Sequence, residues 1–167
     1  MGLPKLRPSE KEEVRKANVL LSRTAEACER IHAAGGGFSF EQPAPVRGKP
    51  TAFEAPIIRE LRKATGARFA IFDQCEYGAE TTKPTAVLYH RGAFCLLRKR
   101  CSHPVRDWRS PDGSTHRGAH PRLWGNRQAG GWATKRSAAY PEELCRELAK
   151  CIAVIQPPKA SEALRHP

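Results

Sequence analysis

Cys101-Ser102-His103, followed by His116 and His120, places a thiol and three imidazoles in one short stretch. Thiolate sulfur and imidazole nitrogen are the donors that hold zinc in structural sites, and a segment poor in apolar residues would gain from such a clip. Cys101, His103 and His120 are the candidate metal ligands, and Cys75 could complete a tetrahedral set if its turn lies nearby. A plainer reading stands beside it. Cys-x-His is not a common zinc knuckle, and His103 and His120, each followed by proline, could hold turns through hydrogen bonds to backbone carbonyls.

The same stretch is basic. From His90 to Arg136 only Asp107 and Asp112 are acidic, against eleven Lys or Arg, and all three tryptophans fall here. Arg98, Lys99, Arg100, Arg106, Arg109 and Arg122 could neutralise phosphates, as could Arg117 and Arg127, while Trp108, Trp124 or Trp132 could stack on an unpaired base. Lys83, just before an expected strand, could reach a DNA backbone or simply be solvated. Each tryptophan could equally anchor the core or a loop. Over the 167 residues, 29 Lys and Arg against 17 Asp and Glu give +12, which draws a chain towards polyanions without naming one.

Six cysteines are too sparse for a disulfide scaffold, and the charged start from Met1 to Glu13 has no apolar signal core, so reduced thiols and a nuclear or cytoplasmic location are expected. No apolar run approaches the ~20 residues that a membrane span needs. Cys28, Cys145 and Cys151 fall at apolar helical positions and read as small core residues. Cys101 beside Arg100 has the positive neighbourhood that activates a thiol, as would any cysteine in a basic loop.

The elements that must position these residues follow from apolar spacing. Ser9 with Glu12 reads as a capping box for a helix on Val14, Ala17, Leu20, Leu21, Ala25, Cys28 and Ile31, stopped by Gly35-Gly36-Gly37. A strand is expected at Phe38 to Glu41, a helix at Ala55 to Thr65, and all-apolar strands at Phe69 to Phe72 and Thr85 to Tyr89. A last helix runs from Pro141 through Leu144, Leu148, Ile152 and Ile155, and the tail from Pro157 is expected to be disordered. Strands apolar on both faces, alternating with helices, predict a partly parallel sheet covered by helices, with residues 91–136 as an irregular basic insert.

One ordered series of short motifs carries a resemblance. Phe40-Glu41-Gln42-Pro43, Phe72-Asp73-Gln74-Cys75-Glu76-Tyr77-Gly78, Lys83-Pro84-Thr85, Cys101-Ser102-His103-Pro104, Ala119-His120-Pro121 and Ala138-Ala139-Tyr140-Pro141 together resemble the carboxy-terminal half of proteins similar to cytosine-5 DNA methyltransferases of mobile elements, protists and phages. The resemblance spans roughly residues 10–155 and implies an α/β fold with a partial Rossmann-like sheet over residues 1–156. It points the basic insert at DNA. It also makes Glu41 the match to the catalytic-pocket carboxylate that contacts the target cytosine, with Gln42 standing where Asn is usual.

The departures limit what the resemblance implies. The family's Gly-rich cofactor turn and its Pro-Cys nucleophile have no counterpart, and Gly35-Gly36-Gly37 follows a helix where a cofactor turn follows a strand. The chain is therefore expected to bind DNA and to be at most an incomplete methyltransferase. It would bind no cofactor alone, and S-adenosylmethionine only with a complementary half. The alternatives are a stand-alone basic nucleic-acid-binding module of a mobile element and a relic without function.

Overall fold

The structure is a computed structural model that describes residues 6–109, 113–121, 127–128, 131–132 and 139–155. The element order is α1 (Pro8–Ala33), β1 (Phe38–Pro43), a 3-10 turn (Ala52–Glu54), α2 (Pro56–Thr65), β2 (Arg68–Asp73), a 3-10 turn (Gln74–Tyr77) and β3 (Pro84–His90). There follow a 3-10 turn (Phe94–Leu96), β4 (Arg106–Arg109), β5 (Thr115–Gly118), the two-residue strands β6 (Arg127–Gln128) and β7 (Gly131–Trp132), and α3 (Glu142–Ala153). The expected disordered tail, with Arg122 and Trp124, lies outside the described residues, and of Trp132 only the backbone is described.

β1, β3 and β2 form one sheet in that order, and both pairings are antiparallel. This corrects the partly parallel sheet expected from apolar strands, and with it the parallel frame of a Rossmann-like sheet. β1 and β2 do run the same way and are joined through α2, as in a βαβ unit, but β3 inserts between them and makes every neighbour antiparallel. What survives is the covering of both faces. Alternate residues of β3 point to opposite sides. Ala86 and Leu88 pack with Ala25, Cys28, Phe53, Ile58 and Leu61 from the α1 and α2 layer. Val87 and Tyr89 pack with Phe72, Phe94, Leu97, Leu144 and Cys151 from the α3 layer. Helices on both faces, rather than parallel pairing, make the strands apolar throughout.

Other details move from the expectation. The first helix begins two residues early, at Pro8, whose fixed φ suits a first helical position, and Glu10 Oε2 accepts from the Arg7 backbone N–H at 2.8 Å in place of a Ser9–Glu12 box. Its apolar stripe is only partly used: Ala25 and Cys28 are buried, whereas Val19, Leu20 and Ile31 are exposed. The amino-terminal half of α1 flanks an open groove of about 630 Å³ with Phe40 and the 50–55 loop. Cys145 is exposed because Leu144, Leu148 and Cys151 share the face of α3 that meets the sheet, leaving it one residue out of phase. The end of α3 is seated by Gly92 at φ +80, where an added Cβ would lie 2.9 Å from the Cys151 carbonyl.

At the opposite end of α1, His32 Nδ1 lies 3.1 Å from His90 Nε2, with the rings edge to face. Burial first, then the charges of His32 and Arg91, holds the His90 imidazole below its ordinary value. The folded state thus binds this proton less readily than the unfolded chain. The contribution of His90 to stability is complete above about pH 6.5, the unfolded value, and is lost as pH falls through the lower folded one. The urea midpoint should fall between pH 7.5 and pH 5.5, and His90→Gln should flatten that fall; equal slopes for both proteins would refute the assignment.

Candidate metal centre

β2 ends in Asp73, and the chain turns at once into the short helix that carries Cys75 and Glu76. Cys75 is buried, and Gly78 at φ +94 closes the turn. The segment 99–101 is laid against this corner: the Asp73 backbone N–H donates to the Lys99 carbonyl at 3.0 Å, and Asp73 Oδ2 accepts from the Cys101 N–H at 2.8 Å and from Arg100 Nε at 2.9 Å. One step further, Glu76 Oε1 accepts from the Ser102 N–H at 2.7 Å and from its hydroxyl at 2.9 Å. Those bonds, the backbone one first, hold the Glu76 carboxyl below the usual carboxylate range.

These anchors bring Cys75, Cys101, His103 and His120 together, with one ligand atom from each lying within 4.8 Å of all the others. Cys101 Sγ is 3.4 Å from His120 Nε2 and 3.7 Å from His103 Nδ1. A tetrahedral zinc with ~2.3 Å bonds to sulfur and ~2.0 Å bonds to nitrogen holds its sulfur and nitrogen donors about 3.5 Å apart, so these two distances are compatible with zinc. His120 Nδ1 lies 2.8 Å from the Glu80 carbonyl. As a donor to that carbonyl it fixes the tautomer that leaves Nε2 free to ligate, the outer-shell arrangement of metal-bound histidines. The carbonyl bond of the plainer reading is therefore present at His120 and compatible with ligation. Burial, and then the contact with Cys101, pushes the Cys75 thiol up to about 12, so without an ion it keeps its proton and ion binding must displace it.

The centre closes the base of a hairpin. Cys101 and His103 precede β4, His120 follows β5, and the strands pair from Arg106↔Gly118 to Arg109↔Thr115. Across the pair, Trp108 Nε1 donates to the Gly118 carbonyl at 3.0 Å. Trp108 is half-buried and spends its N–H on holding the ribbon. Cys75, the fourth member of the cluster, lies at the corner of the sheet.

The basic residues named from sequence divide into two groups. Arg100 is committed to Asp73, and Lys99 Nζ lies 5.1 Å from the Tyr77 ring. Arg98, Arg106 and Arg109 are exposed, as is Arg117. Glu41 is exposed on β1, where Tyr140 is hydrogen-bonded to it, and Lys83 Nζ lies 5.3 Å from the Tyr140 ring. Lys83 adopts φ 35, a strained left-handed backbone. Asp73, Glu76, Ser102 and the Glu80 carbonyl are the supporting groups that sequence reasoning missed. Their one signal was the placement of two carboxylates around a cysteine directly after an apolar strand. No family model, curated protein or solved structure matches the chain, and no helix among the described residues is long and apolar enough to cross a membrane.

Proposed function

We propose that the chain is a DNA-binding module whose basic hairpin is stapled to an α/β core by zinc, held by Cys75, Cys101, His103 and His120. The observation that carries this reading is the convergence of those four donors at the foot of the hairpin. An ion there offsets the entropy of ordering a loop with little apolar surface of its own. It leaves Arg98, Arg106, Arg109 and Arg117 directed to solvent on a fixed frame. The overall charge of +12 supplies attraction to phosphate at long range.

A second reading keeps the methyltransferase-like identity, favoured by the meeting of Glu41, Lys83 and Tyr140, which come from three of the motif segments. In it Glu41 faces the target base and a complementary half brings S-adenosylmethionine. In this reading the methyl donor and its glycine-rich turn both belong to that complementary half.

The full chain should carry one zinc by elemental analysis, and its cobalt-substituted form should show the intense visible bands of a tetrahedral thiolate site. By fluorescence anisotropy, about four phosphate contacts should give a slope of about −3.6 in log affinity against log salt, or a loss of about 150-fold between 50 and 200 mM. Absence of zinc after expression in zinc-supplemented medium, or absence of DNA binding at low salt, would overturn the reading.

A further inference from the structure

We propose that the β4–β5 ribbon enters the major groove of B-form duplex DNA and reads base edges with Asp107, Arg109 and Arg117. The inference rests on the DNA-binding reading above and names the surface and the form of nucleic acid. Its starting point is the two-sidedness of the ribbon. On the face of Arg106, Trp108, His116 and Gly118 all but Arg106 are half-buried, whereas on the other Asp107, Arg109, Thr115 and Arg117 are all exposed. The register sets Asp107 opposite Arg117 and Arg109 opposite Thr115, so these four side chains occupy one face.

The dimensions suit a groove. Paired strands lie about 4.8 Å apart, and a two-stranded ribbon is one of the two elements that the ~12 Å major groove of B-DNA admits. The deep, narrow major groove of A-form RNA does not admit one. Orientation comes from the foot of the ribbon, where the metal donors flank both strands, and from the Trp108 to Gly118 bond across them. A reading element needs such a frame, because an arginine on a mobile loop finds phosphates but no defined base.

The composition of the face argues for base edges over phosphates. Asp107 lies directly across from Arg117 and two residues before Arg109, on the same face of its strand. On a surface built only to neutralise phosphates a central carboxylate is repulsive. Against base edges it accepts from the cytosine amino group, while each guanidinium donates in bidentate fashion to guanine O6 and N7. The mixed face therefore favours G·C-containing sites.

The test uses the zinc-loaded full chain. A preferred duplex is selected from a random pool, and affinities for it, for a duplex RNA of the same sequence and for single strands are measured by anisotropy. R109A and R117A, each shown to retain one zinc and the parent thermal midpoint, should bind the selected duplex about tenfold or more weakly. D107A should relax the preference at one base pair, and 7-deazaguanine in the duplex should reproduce the arginine losses. If R109A and R117A bind like the parent while R98A binds weakly, the ribbon assignment is overturned and the DNA-binding reading stands. Equal or tighter binding to duplex RNA, or no selected sequence, also overturns it. If the parent binds no nucleic acid at low salt, the DNA-binding reading itself has failed.

Discussion

Cys75→Ser in the full chain is expected to reduce zinc from one ion per chain to less than a tenth of that, and to free the basic hairpin while the three-stranded sheet stays folded. Cys75 is the only one of the four donors that lies on the core side of the hairpin. The other three belong to the hairpin's own foot, so without Cys75 any residual binding would no longer join the two parts. Serine keeps the size of the side chain but offers a hard, weakly acidic oxygen where zinc favours thiolate. At free zinc 100 times the dissociation constant, the ion adds about 2.7 kcal/mol to folding. For a chain of this length that is a fall of roughly 5–10 °C in thermal midpoint on substitution or chelation. Trypsin should then cut between Arg98 and Arg117 in the variant and spare the zinc-loaded parent. Cys95→Ser, at an exposed cysteine outside the donor set, should leave zinc content and midpoint unchanged. A Cys75→Ser protein with full zinc content would remove Cys75 from the centre.

Asp73→Ala should cost about 2–3 kcal/mol of stability and lower zinc affinity about 10- to 100-fold. Its side chain is 4% exposed, and one carboxylate oxygen receives both the Arg100 guanidinium and the Cys101 N–H. Hydrogen bonds to a charged group contribute about 1.5–3 kcal/mol. Arg100 is 61% exposed and regains water when its partner is lost, which keeps the cost below that of stranding a fully buried charge. The loss of zinc affinity has a separate cause. The bond to the Cys101 N–H sets where that residue's Sγ points, and outer-shell supports of this kind are worth 10- to 100-fold in metal affinity. Urea unfolding of the metal-free chain isolates the first effect and competition with a chromophoric chelator the second. Asp73→Asn, which can still accept from Cys101, should recover most of the zinc affinity but less of the stability. If both variants keep parent zinc affinity, Asp73 is structural only.

The apolar blocks at residues 69–72 and 85–89 were enough to locate β2 and β3, because residues buried on both faces must be apolar at every position. They could not give the direction of pairing. The insertion of β3 between β1 and β2 is decided by how α2 and the 74–83 turn return the chain, and no local pattern encodes that. The stripe of α1 misled for a related reason. Its spacing is helical from Val14 to Ile31, yet the sheet is only wide enough to bury Ala25 and Cys28 with Leu21 packed beside them. Three of the four converging side chains were named from their residue types alone. Cys75 was legible only conditionally, since joining residues so far apart in sequence requires the corner after β2, and the hairpin between them showed in the sequence only as part of an irregular basic insert.

The order β1-β3-β2 also governs how the chain can be made. When the amino-terminal half has left the ribosome, α1, β1, α2 and β2 are all present, yet the two strands have no edge in common. Each presents unpaired N–H and C=O groups and an apolar face until Pro84–His90 arrives between them. The sheet therefore forms in one late event, and within a few tens of residues that event also delivers Lys99 to Cys101 to the corner beside Asp73. At five to twenty residues per second, the nascent chain spends seconds as two unpartnered strands joined by a helix. A stall before residue 84 would release a species whose two strands have all their edges open, prone to pair with its own copies, whereas a stall after residue 120 would leave the three strands paired and Cys75, Cys101, His103 and His120 already brought together.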